Sequence, residues 1–163
     1  MISVLSSRAG KYSNHKQCNA RELTNELSRV PPNVRFIVDN VEEPWADNQS
    51  YDYIHCRYMA ASIQDWPRLV KQCFDNLNPG GWVEFQDYDT ACVTQDDTIP
   101  KDYKVAEMLS LLRGACDSIE RLLDPGPHLK GCVEDAGFEK ITQNVIPLPV
   151  GIWPKDKKMV SLP

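Results

Sequence analysis

Residues 51 to 87, YDYIHCRYMAASIQDWPRLVKQCFDNLNPGGWVEFQD, carry the pattern that decides the fold of this chain. The stretch opens on Tyr51–Cys56, a short β-type run that predicts a strand. Apolar side chains then recur at helical spacing after Asp65-Trp66-Pro67, where Asp is a good N-cap and Pro is tolerated in the first turn. Asn78-Pro79-Gly80-Gly81 predicts the end of this helix, and Trp82–Asp87 predicts the next strand. A strand, a helix and a strand in this order indicate a parallel unit with a right-handed crossover.

The same periodicities continue on both sides of this unit. In chain order we predict an irregular segment over 1–18, a weak helix over 19–29, a strand at Val34–Val38, a long helix over 102–123, a short helix over 129–136 closed by Gly137, and a strand over 138–146. Strands that alternate with helices predict an α/β fold with a mostly parallel sheet. We therefore expect residues 19–163 to form one partial domain behind the irregular N-terminal segment.

Composition excludes several classes of function. The net charge of -5 and the lack of a Lys/Arg run make the chain a poor ligand for a phosphate backbone, so we expect no nucleic-acid partner. No stretch approaches the ~20 apolar residues of a transmembrane helix, so we expect no membrane partner. The six cysteines form no C-x-x-C pair, which argues against a metal site and for free thiols in the cytoplasm or nucleus.

Motifs over residues 31–157 carry a resemblance to a known family. Their order is Pro31-Pro32-Asn33-Val34-Arg35-Phe36, Glu42-Glu43-Pro44-Trp45, Tyr51–Arg57, Ser62–Pro67, Leu77–Glu84, Glu134–Phe138 and Leu148–Lys157. In this order they resemble the LaeA-like group of fungal class I S-adenosylmethionine-dependent methyltransferases, many of which are linked to secondary metabolism. The resemblance implies a Rossmann-like methyltransferase sheet, S-adenosylmethionine as cofactor and a small-molecule substrate.

The resemblance implies a cofactor site at the end of the strand predicted at 34–38. Asp39, Asn40 and Val41 stand where the family contacts the adenine, and Asn40 departs from the two consecutive acids that are common there. An amide still offers both a donor and an acceptor to an adenine edge. From the residues alone, Asp39 and Asn40 favour the capping of a turn, and the resemblance leaves both interpretations open.

Further site residues follow the two strands of the central unit. His55 and Arg57 match the family's fourth-strand end, which faces cofactor and substrate, and His55 is the candidate general base. A histidine there is equally compatible with a structural role, and Arg57 with an acidic substrate group or a surface carboxylate. Trp66 resembles an aromatic wall near the substrate but also fits a core position. Asp87 and Tyr88 would lie beside the substrate entrance, or in a solvated loop.

The sequence lacks two parts of a complete family site. No G-x-G-x-G loop is present for the methionine end of the cofactor, since Gly10 is the only glycine before Gly80. The family's sheet order resembles 3-2-1-4-5-7-6, and this chain supplies strands 3, 4, 5 and 6, as if truncated at both ends. Strands 1 and 2 would leave a gap between strands 3 and 4. We expect a non-standard or poorly stable sheet, in which strand 3 shifts to pair with strand 4, residues 1–30 fill the gap, or a protein partner or a second copy covers it.

Two functions remain open from the sequence. The first is an S-adenosylmethionine-dependent methyltransferase acting on a small molecule. The second is a non-catalytic remnant of such an enzyme that works as a protein-interaction or regulatory module, because unpaired strand edges attract partner strands.

Overall fold

A computed structural model gives the structure of the chain and describes residues 1–7, 39–45, 50–94, 99–100 and 102–148. The helix predicted at 19–29 and the strand predicted at Val34–Val38 lie outside the described residues. Within the described ranges, none of the helices combines the length and apolar content that crossing a bilayer requires.

The described residues form a four-stranded sheet with three helices. In chain order the elements are β1 (Ile2–Ser7), β2 (Tyr51–Arg57), α1 (Trp66–Asn76), β3 (Leu77–Asp87), α2 (Lys104–Ser118), α3 (Gly126–Asp135) and β4 (Glu139–Val145). The strand order is β2-β3-β1-β4. β2 and β3 are parallel, and β1 is antiparallel to both β3 and β4. The fold is therefore mixed α/β with one parallel pair of strands, which is consistent with an incomplete Rossmann-like sheet.

The predicted β2–α1–β3 unit is confirmed. The Asp65 side chain accepts a hydrogen bond from the Arg68 backbone N–H at 2.9 Å, which caps α1 as predicted. The helix α1 ends at Asn76, and β3 begins at Leu77 rather than at Trp82. The expected stop at residues 78–81 is thus part of the strand, where a Cβ on Gly81 would lie 2.9 Å from the Asn78 carbonyl oxygen.

One side of the sheet forms the core. Val4, Val83 and Phe85 are buried on it against apolar side chains of α1 and α3, which are Trp66, Leu69, Val70, Cys73, Leu129 and Val133. Because side chains alternate along a strand, the opposite side of β2 and β3 carries Tyr53, His55, Arg57, Trp82, Glu84 and Gln86. We call this opposite side the polar face. The apolar side chains of α1 and α3 pack on the core side, opposite the polar face.

The structure differs from the sequence prediction at the N-terminus. Residues 2–7, expected to be irregular, form β1, which pairs with β3 on one side and β4 on the other. Val4 is fully buried, and the Met1 ammonium donates to the Ile146 carbonyl oxygen at 2.9 Å. The N-terminal strand therefore lies between the fifth and sixth family strands. This differs from the outcome in which residues 1–30 fill the gap of strands 1 and 2, which lies on the other side of the fourth family strand.

The helices after β3 agree with prediction in position but not in length. α2 ends at Ser118 instead of 123, and Glu120 adopts a positive φ of 56° in the connection that follows. Gly137 has a φ of 93° directly after α3, which confirms its predicted C′ role.

Candidate functional site

The carboxyl ends of β2 and β3 meet at one edge of the sheet, because the two strands are parallel. Arg57 lies opposite Gln86 in the register, and the Tyr58 backbone N–H donates to the Gln86 carbonyl oxygen at 3.0 Å. Ligands of open α/β sheets bind at this edge. Four residues predicted from sequence come together here, namely His55, Arg57, Asp87 and Tyr88.

A hydrogen-bonded cluster holds His55 on the polar face. Its Nδ1 lies 3.3 Å from Glu84 Oε2 and 3.3 Å from the Tyr53 hydroxyl oxygen. The Tyr53 hydroxyl donates to Glu84 Oε2 at 2.5 Å, and the Gln86 side-chain amide donates to Glu84 Oε1 at 2.7 Å. The carboxylate is thus fixed from two sides, and it fixes one nitrogen of the imidazole.

This cluster has the geometry of a general base and its orienting group. Burial and the neighbouring Glu84 carboxylate hold the pKa of Tyr53 well above its usual value, so the phenol stays protonated and donates. A carboxylate at Nδ1 selects the tautomer whose Nε2 accepts protons. Within the described residues, no hydrogen bond engages His55 Nε2. Sequence analysis did not identify Tyr53 or Glu84. The signal that could have found them is the alternation of side chains along the two strands, which places both residues on the same face as His55.

Asp87 supports the loop that follows β2. It is buried, and its carboxylate accepts the backbone N–H groups of Met59 at 2.8 Å and Tyr88 at 2.9 Å. Burial raises the pKa of this carboxyl, although these amides and that of Ala60 oppose the shift. The loop it holds contains two residues in the left-handed region, Tyr58 at φ 58° and Ala61 at φ 56°. The described contacts of Asp87 are those of a loop anchor, and its contact with substrate stays a prediction.

The aromatic side chains at this edge are stacked. The Tyr58 and Tyr88 rings lie 5.0 Å apart between centroids and are inclined by only 5°. The guanidinium carbon of Arg57 lies 4.3 Å from the centroid of the Tyr58 ring. Arg57, Tyr58 and Tyr88 thus form a cation–π and π–π stack beside the cluster around His55.

The segment predicted to meet adenine is an exposed turn. Asp39 Oδ1 accepts the Asn40 backbone N–H at 2.8 Å, and Asn40 Oδ1 accepts the backbone N–H of Glu42 at 3.1 Å. The Val41 carbonyl oxygen accepts the indole N–H of Trp45 at 3.0 Å. These bonds match the turn-capping alternative, and they leave the Asn40 amide nitrogen without a partner among the described residues.

The hydrogen-bond donor that this turn offers, the Asn40 amide N–H, fits the adenine end of S-adenosylmethionine. An amide N–H without a partner among the described residues can donate to an adenine nitrogen, and Asn40 is exposed. Nothing in the sequence supplies a glycine-rich loop for the methionine end. Within the described residues, no hydrogen bond joins residues 39–41 to His55, so the two halves of the predicted site are held by separate contacts.

Glu42 links this turn to the rest of the carboxyl edge. Its Oε1 accepts the backbone N–H groups of Gln64 at 2.8 Å and Asp65 at 2.9 Å, and its Oε2 lies 3.1 Å from a guanidinium nitrogen of Arg121. Burial works against ionisation, but the two amides and Arg121 outweigh it and lower the pKa of Glu42. We call this arrangement the Glu42 junction. Sequence analysis named Glu42 only within the motif Glu42-Glu43-Pro44-Trp45 and did not predict these contacts, since its partners are distant in sequence.

Trp66 and Cys56 belong to the core side of the sheet. Trp66 is 3% exposed and packs edge-on against Phe85 at 6.5 Å, which favours the core alternative over an aromatic wall. Its contact with a substrate stays a prediction. Burial, with a smaller effect of Asp87, raises the pKa of the Cys56 thiol to about 12, so this thiol stays protonated and unreactive.

Comparison with known proteins shows which proteins this chain is similar to. The model of a family described as a methyltransferase domain matches residues 6–143. Methyltransferase pytC of Aspergillus terreus is 47% identical over 140 residues, which are 83% of this chain and 43% of that protein. Secondary metabolism regulator LAE1 of Cochliobolus heterostrophus is 30% identical over 151 residues, which are 91% of this chain and 49% of that protein. Probable methyltransferase tdiE of Emericella nidulans is 30% identical over 137 residues, 83% of this chain and 43% of that protein. The chain therefore spans less than half the length of these relatives.

Proposed function

This chain belongs to the methyltransferase-domain family, and from that premise we propose that it transfers a methyl group from S-adenosylmethionine to a small-molecule acceptor, with His55 as the base. Methyltransferase-domain proteins generally use this cofactor, and the matched relatives are named for methyl transfer or for the regulation of secondary metabolism. The observation that carries the proposal is the His55–Glu84 pair at the carboxyl edge, 3.3 Å between Nδ1 and Oε2.

The chain's own residues do two things in this proposal. His55 Nε2 takes the proton of the acceptor, while Glu84 holds the ring and stabilises its positive charge. The Asn40 amide contributes a hydrogen bond to the adenine, held at the edge through the Glu42 junction. When bound, S-adenosylmethionine supplies a methyl group already activated by the sulfonium charge, so alignment and deprotonation are what remain for the protein.

The test is a pair of measurements on the full chain. Calorimetry with S-adenosylhomocysteine should give micromolar binding, and tritium from methyl-labelled S-adenosylmethionine should enter a panel of phenol, amine and carboxylic acid acceptors. His55→Gln should lower the transfer rate by about 100-fold or more, the contribution expected of a general base, and leave cofactor affinity within about twofold. His128→Gln, which changes an exposed histidine on α3, is the matched control. Undetectable binding at millimolar ligand together with no transfer would overturn the proposal.

A second candidate is the non-catalytic interaction module, and the surface of α2 favours it. Met108, Leu111 and Leu112 are 57%, 71% and 45% exposed on this helix, and β2 pairs with β3 alone among the described residues. Exposed apolar side chains and a bare strand edge are features of protein contacts. If S-adenosylhomocysteine does not bind while light scattering shows an assembly that Leu111→Asp disperses, this second function is favoured.

A further inference from the structure

Three flat groups stack at the carboxyl edge, where β2 ends two residues after His55. The Tyr58 ring contacts both others: its centroid lies 4.3 Å from the Arg57 guanidinium carbon and 5.0 Å from the centroid of the Tyr88 ring. The two rings are almost parallel, inclined by 5°. Stacked groups of this kind form a rigid surface, because each ring restricts the torsions of the next.

Tyr58 has a backbone conformation that is unfavourable for a tyrosine. Tyr58 has a φ of 58°, in the region that favours glycine, and it is 45% exposed, so core packing does not explain the ring. The loop is kept in place by the buried Asp87 carboxylate through the Met59 N–H. A glycine at position 58 would adopt this φ without strain, but it would lack the aromatic ring. The side chain at position 58 therefore points to a role outside folding.

The edge of the Arg57 guanidinium is available to a ligand. Arg57 is exposed, and within the described residues it lies in no salt bridge. Glu84, a carboxylate on the same face, is already bound by the Tyr53 hydroxyl and the Gln86 amide. A stacked guanidinium keeps its in-plane N–H groups, which match the two oxygens of a planar carboxylate.

We propose that the Arg57–Tyr58–Tyr88 stack binds the methyl acceptor, and that this acceptor is an aromatic acid with a hydroxyl across the ring from its carboxylate. The inference rests on the proposed methyl transfer and names its substrate class. His55 precedes Arg57 by two residues on the same face of β2, which separates their backbones by about 6.6 Å. A benzene ring with oxygen substituents at opposite ends spans a similar length. An acceptor of this length can place its carboxylate at Arg57 and its hydroxyl at His55.

The chemical step balances on this arrangement. The acceptor O–H bond breaks and its proton goes to His55 Nε2, while the oxygen forms a bond to the methyl carbon. The carbon–sulfur bond of the sulfonium breaks with its electron pair going to sulfur, and the neutral thioether leaves. The imidazolium then returns its proton to water.

The test measures binding without cofactor, so it does not depend on turnover. Calorimetry compares 4-hydroxybenzoate with 4-hydroxybenzamide, which has the same shape but no charge. The acid should bind the full chain about tenfold more tightly, because only it forms charge-assisted hydrogen bonds with Arg57. Arg57→Gln should abolish this preference, and Arg57→Lys should reduce it by several fold because an ammonium lacks the planar fork. Arg68→Gln changes an exposed arginine of α1 and should leave the preference unchanged.

Each outcome decides one of the two proposals. Equal affinity for the acid and the amide, or a preference that Arg57→Gln leaves intact, overturns the acceptor site even where methyl transfer to another compound is found. Arg57→Lys binding as tightly as wild type overturns the stacked recognition in favour of charge alone. Selective binding of the acid without any methyl transfer keeps the acceptor site and overturns the catalytic proposal.

Discussion

At the scale of the residue, Asp87 shows how one side chain supports the carboxyl edge. Its two carboxylate oxygens separately accept the N–H groups of Met59 and Tyr88, and the side chain is 1% exposed. In Asp87→Asn the side chain keeps only one acceptor oxygen, and its amide NH₂ group faces the other backbone N–H donor. We expect the free energy of unfolding to fall by about 1–3 kcal/mol, because a buried N–H loses its partner. Urea titration followed by circular dichroism measures this.

Asp89→Asn is the matched control for this variant. Asp89 is exposed and its Oδ1 accepts one N–H, that of Ala91, at 2.9 Å. We expect a change within about 0.5 kcal/mol, as for most surface substitutions. An Asp87→Asn variant as stable as Asp89→Asn would contradict the role of Asp87 as the loop anchor.

At the scale of the element, β1 completes the sheet. Without it, β3 and β4 would each present a row of unpaired N–H and C=O groups next to the core. Val4 is 0% exposed at the centre of this strand. Val4→Asp should lower the free energy of unfolding by more than about 3 kcal/mol, since it buries a charge without a partner. Loss of the cooperative urea transition would agree with this expectation.

Val93→Asp provides the comparison for β1. Val93 is 82% exposed, so the same change of side chain should alter stability by no more than about 0.5 kcal/mol. If both variants unfold at the wild-type urea concentration, β1 does not contribute to the folded sheet as described.

At the scale of the whole molecule, the Glu42 junction joins three segments that are distant in the chain. Glu42 lies in the 39–45 turn, Gln64 and Asp65 precede α1, and Arg121 follows α2. The pKa of Glu42 is lower in the folded chain than its ordinary value, so its stabilisation is full at neutral pH and is lost as the pH falls below the ordinary glutamate value and through the lower folded one. Glu42→Gln should therefore cost about 1 kcal/mol at pH 7 and less at pH 3.

Unfolding curves across this pH range check the prediction, with Glu43→Gln as the control. Glu43 is the exposed neighbour of Glu42, and its replacement should leave the pH dependence unchanged. Asp87 acts in the opposite direction, because its raised pKa makes its burial less costly as the pH falls. An equal effect of Glu42→Gln at pH 7 and pH 3 would show that the junction does not depend on the ionised carboxylate.

The candidate site could be predicted in part. His55, Arg57 and Tyr88 were identified because they lie at or just after the ends of strands that the sequence predicts, and the structure places these strand ends at one edge. Tyr53 and Glu84 were missed because a hydrogen bond between neighbouring strands depends on their register, here Ile54 opposite Val83. Local sequence patterns carry no information on register.

The sequence by itself determined the β2–α1–β3 unit, α3 and β4, because their caps, turns and apolar periodicities act between near neighbours in the chain. Only the tertiary structure decided the place of β1, which pairs Ile2 with Asp87 and with Val145. The physical reason is that a short strand has no partner of its own and forms where the rest of the fold leaves two edges open. The same holds for the Glu42 junction, whose contacts exist only after the three segments have met.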